Sequence, residues 1–143
     1  MTTLAEAWEL SRGDSGLAVV STLRADQSIQ ASLVNTGILA YEGAERLAFV
    51  TYGKVKLANL RRRPQLTVTF RNGWRWATVE GTATIAGPDD PLPGLDADSL
   101  RCLLRDVFAA AGGTHDDWSE YDRVMREQRR AAVLITPTRT YGN

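Results

Sequence analysis

Residues 65–71 alternate between apolar and polar, Asn72-Gly73 follows, and residues 74–85 form a second, returning run. An Asn-Gly pair between two such runs specifies a β-hairpin, because a type I′ turn needs positive φ at both central residues. A two-residue turn there sets Arg71 opposite Trp74, Thr69 opposite Trp76 and Thr67 opposite Thr78. Leu66, Val68, Phe70, Ala77 and Val79 then share one face, an aliphatic core face. Trp74 and Trp76 stand on the other, among threonines and an arginine. Two tryptophans on a second face point to a covered surface, either a subunit interface or a ligand wall.

The same period recurs upstream. Residues 17–23 place Leu17, Val19, Ser21 and Leu23 on one face, and residues 29–36 alternate again after a polar turn at 24–28, so these two strands form a hairpin. Residues 37–45, with two glycines, read as a connecting loop, and residues 46–51 as the third strand. Residues 57–63 form a short helix that Pro64 stops. Gly81 marks a bulge or bend in the returning strand of the Asn-Gly hairpin. Residues 87–94 hold three prolines and are a loop. Leu100, Leu103, Leu104, Val107, Phe108 and Ala111 then recur at helical spacing, and Gly112-Gly113 ends that helix. Asp116 or Asp117 caps a second helix running to about Arg130, and residues 131–136 form a last strand limited by Pro137. A short helix over residues 3–10, capped by Thr2 or Thr3, opens the chain. Six mostly antiparallel strands with few helices in 143 residues favour a small closed or split barrel in a single domain over 1–143.

Composition narrows the function. Lys plus Arg and Asp plus Glu both total 17, so the chain lacks the basic footprint of bulk nucleic-acid binding. No apolar run approaches the roughly 20 residues of a membrane span. Residues 1–10 carry two acids and no base, unlike a secretory signal, and the single cysteine, Cys102, fits a reducing cytoplasm. Cys102 falls between core positions of its helix and reads as a small buried hydrophobe. One His and one Cys are too few for a histidine- or cysteine-based metal site, and His115 has no accompanying nucleophile motif. Asp89-Asp90 and Asp116-Asp117 read as loop acids or helix caps. There is no Walker loop, and no G-x-G-x-x-G follows a strand.

Of the 17 basic residues, 15 are Arg; the two lysines, Lys54 and Lys56, stand together before the short helix. On an extended chain, residues i and i+2 point to one side, so the two ammonium groups would converge at the amino end of that helix. Free N–H groups and the helix dipole favour an anion there, and a phosphate fits. The alternative is a pair of solvated surface charges. The Arg61-Arg62-Arg63 run reads as an exposed helix face.

The segment Phe49-Val50-Thr51-Tyr52-Gly53-Lys54-Val55-Lys56-Leu57-Ala58-Asn59-Leu60-Arg61-Arg62-Arg63-Pro64 resembles the signature of the pyridoxamine 5′-phosphate oxidase-like, FMN-binding split β-barrel proteins. Thr22-Leu23-Arg24-Ala25-Asp26 is similar to that family's first hairpin, although Gln27 stands where the turn commonly has Gly, and Val79-Glu80-Gly81-Thr82-Ala83 is similar to its long fifth strand. The chain most resembles the deazaflavin (F420)-dependent oxidoreductases of the B group. The resemblance implies a six-stranded antiparallel split β-barrel with a short helix after strand three and two helices before the last strand. It implies a homodimer with the cofactor in a groove between barrels, and no metal. Lys54 and Lys56 would hold the cofactor phosphate with Asn59 in support. Ser32, Val34, Asn35 and Thr36 would line the ring system, Thr51 and Tyr52 would border the ring and ribityl chain, and Trp76 would wall the ring, facing its own or the partner's site.

The function implied is hydride transfer from reduced F420 to an electron-poor small molecule of the quinone, enone or tetrapyrrole class. The resemblance names no catalytic acid. An FMN-dependent oxidase or flavin reductase, a non-catalytic F420 carrier and a purely structural dimer are the alternatives.

Overall fold

A computed structural model describes residues 2–143. Helix α1 (Leu4–Glu9) is capped by Thr3, whose hydroxyl accepts from the Glu6 N–H, and a 3-10 turn over Leu10–Asp14 follows. Then come β1 (Leu17–Leu23), β2 (Ile29–Asn35), β3 (Gly37–Tyr41), β4 (Ala44–Thr51), α2 (Lys54–Arg62), β5 (Gln65–Asn72) and β6 (Arg75–Ala86). Helices α3 (Ala97–Ala110) and α4 (Trp118–Glu127) precede β7 (Ala131–Gly142). The architecture is mainly β, but the sheet has seven antiparallel strands and not six, in the order β2-β1-β5-β6-β7-β4-β3. It does not close: β2 nears β4 across the gap without a ladder. No helix among the described residues is long and apolar enough to cross a membrane.

The extra strand is β3, in the stretch expected to be a loop. It pairs with β4 from Gly37↔Ala48 to Tyr41↔Ala44. Glu42 (φ 50°) and Gly43 (φ 79°) make the turn, both with positive φ as a type I′ hairpin requires. The short helix therefore follows the fourth strand. At Asn72-Gly73 the turn lies one residue later than expected, centred on Gly73-Trp74, so Asn72 pairs with Arg75, Arg71 with Trp76 and Thr69 with Thr78. The partner of each residue moves by two, an even slip, so the expected faces survive: Leu66, Val68, Phe70, Ala77 and Val79 are all buried. The last strand runs six residues beyond Thr136, because Pro137 falls where the β6–β7 register shifts at Glu80/Gly81. A bulge tolerates the missing N–H.

Two apolar layers hold these elements. The barrel interior contains Val20, Leu47, Phe49, Leu60, Val68, Phe70, Val79 and Ile135, with α1 and α2 plugging its ends. The second layer lies outside β4 and β7, where Ala48, Ala132 and Leu134 meet Leu103, Leu104 and Val107 of α3 and Tyr121 and Met125 of α4. The buried Tyr121 hydroxyl donates to the Leu104 carbonyl at 2.9 Å and ties α4 to α3. Burial raises its pKa to about 12. Tyr121→Phe removes the donor, should cost about 1 kcal/mol and is read from the urea midpoint.

The first hairpin closes with Gln27 at φ 70°, a conformation costing roughly 1–2 kcal/mol for a residue with a Cβ. Gln27→Gly should stabilise the fold by about 0.5–1 kcal/mol, seen as a rise in melting temperature.

Candidate functional site

Strand β4 ends at Thr51 and α2 begins three residues later. Helices α1, α3 and α4 each start with a side-chain cap, from Thr3, Asp96 and Asp117. Helix α2 is preceded by Gly53, which offers no side-chain acceptor, and its first turn carries no acid. The first N–H groups of a helix have no partner within it, so those of α2 keep an unneutralised positive end.

The lysines do not converge. The helix begins at Lys54, not at Leu57, and two residues of α-helix turn through about 200°. Lys54 is exposed, whereas Lys56 is 7% exposed and points inward. The Lys56 ammonium lies 3.5 Å from the Thr51 hydroxyl, which also accepts from the Gly53 N–H at 3.1 Å, and 5.6 Å from the centre of the Phe49 ring. No carboxylate stands within ion-pair distance of either lysine among the described residues. Burial holds the Lys56 pKa below the usual lysine range. A buried, unpaired ammonium is costly, and here it sits beside an uncapped helix start.

Other polar groups nearby are unevenly committed. Asn59 is buried and donates to the Thr22 hydroxyl at 3.0 Å, fixing α2 to β1. The hydroxyl of Thr36 donates to the Gly16 carbonyl and its own carbonyl accepts from the Trp8 indole, so it serves the chain turn. Val34 belongs to the barrel interior, and Asn35 is exposed at the end of β2. The Ser32 hydroxyl is buried without a hydrogen-bond partner, and an orphaned buried polar atom calls for a missing one. Tyr52 is half exposed, with the Arg130 guanidinium 4.1 Å from its ring centre.

Trp76 is far from this cluster within one chain. Thr51 pairs with Ala131, next to the Ala132 that pairs with Ala86, and ten residues of β6 separate Ala86 from Trp76. At about 3.3 Å per residue that is roughly 30 Å of strand. Trp76 packs edge-on against Tyr141 on the outer face, where the pairings align Leu33, Val19, Thr69, Thr78 and Tyr141 in one row. Leu33 is 60% exposed and Val19 43%. Helices α3 and α4 pack on the other half of the sheet, whereas Leu33, Val19, Trp76 and Tyr141 stay exposed here. Trp74 lies in the turn, 94% exposed.

The remaining candidates resolve into scaffold. Arg61 grips Asp90 with two donors and Arg63 donates to the Leu23 carbonyl. Asp89 pairs with Arg129 and Asp117 caps α4. His115 accepts from the Asp117 N–H and packs among Phe108, Trp118 and Tyr121. Cys102, expected to be buried, is exposed, because the inward side of α3 is made by Leu103, Leu104 and Val107. No group of three metal-ligating side chains occurs among the described residues. The sequence reading missed the orphaned Ser32 hydroxyl as a distinct signal and the Arg130–Tyr52 stack, which joins residues 78 positions apart.

No protein-family model matches the chain. Among solved structures, the conserved hypothetical protein Rv2991 from Mycobacterium tuberculosis superposes with a TM-score of 0.70 at 19% identity, over 99% of this chain and 84% of its own. A protein described as an F420 reductase superposes at 0.59 and 17% identity, over 88% of this chain and 90% of its own. A pyridoxamine 5′-phosphate oxidase-related, FMN-binding protein from Nostoc punctiforme gives 0.64 and 13%, over 99% and 86%. At these identities the likeness is one of fold. This chain has the pyridoxamine 5′-phosphate oxidase-like fold, shared with FMN-binding proteins and with an F420 reductase.

Proposed function

We propose that the chain is an F420-dependent reductase that works as a homodimer. The observation that carries this reading is the buried Lys56 ammonium, without a carboxylate partner, beside the uncapped start of α2. That pair of features suits one phosphate group. Lys56 would pair with the phosphate, the first N–H groups of α2 would donate to it, and exposed Lys54 would add charge at the rim. Thr51 holds the ammonium in place, Asn59 anchors the helix that carries it, and the Ser32 hydroxyl is free to bond a polar ring edge. A bound deazaflavin would supply the hydride, and a quinone, enone or tetrapyrrole acceptor would receive it. The protein's part is to fix the phosphate end, orient the ring and exclude water. FMN also carries a ribityl phosphate, so the choice of cofactor rests on the ring and not on Lys56.

The homodimer is supported by the uncovered outer face and by the placement of Trp76. Exposed Leu33, Val19, Trp76 and Tyr141 form an apolar strip that none of the described residues buries. Trp76 lies ten strand residues from the Ala86 that neighbours its own α2 start, and a second copy would offer it another. Fluorescence titration with F420 and with FMN tests the cofactor, and tighter F420 binding with acceptor reduction is expected; tight FMN binding with weak F420 binding would make the protein a flavoenzyme instead. Leu33→Glu should convert a dimer to a monomer in light scattering and weaken cofactor binding at least tenfold. A wild-type monomer that binds cofactor fully would refute the two-chain site.

A further inference from the structure

A second cavity lies beside α3 and α4. The proline-rich loop over residues 87–95 stands off α3 and α4 and leaves a cleft of about 420 Å³. Its floor is apolar, built from Leu92, Leu95, Leu100, Leu104 and Met125. Its rim carries Arg101, Arg126, Arg129 and Arg130, with Asp96, Asp98 and Asp122 also on the lining.

These arginines are not equally spent. Arg129 is held by Asp89, and Arg101 lies within 4 Å of Asp98 and Asp122. The acids on the wall are engaged as well. Asp122 takes the bidentate fork of Arg105 from outside the cleft, and Asp96 caps α3 by accepting from the Ser99 N–H. Arg126 has no acidic partner within ion-pair distance among the described residues, and Arg130 bonds only the Gln128 amide while stacking on Tyr52. Two guanidinium groups without a carboxylate therefore overlook an apolar pocket. Guanidinium matches carboxylate geometry with two parallel donors, and a hollow of this size is typical for a small ligand. The cleft suits a small amphiphile with an apolar body and one anionic end.

We infer that this cleft binds an aliphatic monocarboxylate of about ten carbons, with its chain on the leucine floor and its headgroup at Arg126 and Arg130. The floor supplies affinity and the arginines select the headgroup. This site meets the proposed cofactor site at one contact, the stack of Arg130 on Tyr52, and Arg126 and the leucine floor lie outside that contact.

Sodium decanoate, below its micellar range, is the probe, read by calorimetry with amide chemical shifts on the full chain. One site with a sub-millimolar dissociation constant is expected, with shifts confined to residues 87–104 and 121–130. Decanol, of equal length and no charge, should bind at least tenfold more weakly. Arg126→Gln, at an exposed position, should weaken decanoate about tenfold and leave decanol unchanged. Lys56→Ala should leave decanoate binding intact. Equal binding of decanol, indifference to Arg126→Gln, or shifts centred on β1 and β2 would each overturn the assignment. Loss of decanoate in Lys56→Ala would place the anion at α2 and overturn it too.

Discussion

Lys56→Met should stabilise the unliganded protein while abolishing its grip on a phosphate. The side chain is buried against Thr51 and Phe49 with no carboxylate near. Replacing an unpaired buried cation with an apolar chain of similar length should gain about 1 kcal/mol at neutral pH. Under the proposed function the same change would remove a charge-assisted contact to the cofactor phosphate, and cofactor affinity should fall about 100-fold, near 2.7 kcal/mol. The pH dependence has a definite sign. The folded Lys56 pKa lies below 10.5 because burial disfavours the charged form. Below that lowered value both folded and unfolded chains hold the proton, and the full burial cost is present. Between it and 10.5 the unfolded chain holds the extra proton, so stability rises with pH. The advantage of Lys56→Met should thus be largest near pH 7 and shrink as pH climbs through that window. Urea midpoints at about pH 7 and pH 10 measure this, and cofactor titrations measure the other half. A variant that binds as tightly as wild type would remove Lys56 from the phosphate site.

Local pattern carried much of this architecture. The β5–β6 core face is right even though the turn is one residue late, because a two-residue slip keeps the parity of a strand. Thr3, Asp117 and the leucine spacing of α3 place three helices, since caps and apolar periodicity are written within a few residues. Features set by distant contacts were not legible. β3 lacks clean alternation because both its faces pack, Ile38 on the interior and Leu39 and Tyr41 on the α3–α4 layer, and its Glu42-Gly43 turn carries a weaker signal than Asn-Gly. Pro137 stays within β7 only because the register shifts opposite Gly81. The motif around Lys56 predicted two converging ammonium groups, but a helix start three residues early reversed the geometry, sending one inward and one to water.

Gly37→Val should be among the most damaging single substitutions in the chain. A Cβ built on Gly37 would lie 2.3 Å from the Ala110 carbonyl carbon, 2.5 Å from its oxygen and 2.5 Å from the Ala111 nitrogen. All three are backbone atoms, so no side-chain rotation relieves the clash. Helix α3 would have to lift from β3, parting Leu103, Leu104 and Val107 from Ala48 and Leu134. Loss of that packing should cost about 3 kcal/mol or more, a large share of the roughly 5–15 kcal/mol typical of a domain. Gly43→Ala separates crowding from backbone strain. Gly43 has φ 79°, and no atom lies within 4 Å of the place its new methyl would take. Only the left-handed conformation is then penalised, by about 1 kcal/mol. Urea unfolding of both variants compares the two terms directly. If Gly37→Val cost no more than Gly43→Ala, the close approach of β3 to α3 would be wrong. That approach also bears on the site, because α3 packs against β4, and β4 ends at the Thr51 that holds Lys56. Gly37→Val should therefore weaken cofactor binding from the opposite side of the sheet, touching no group that would contact the ligand.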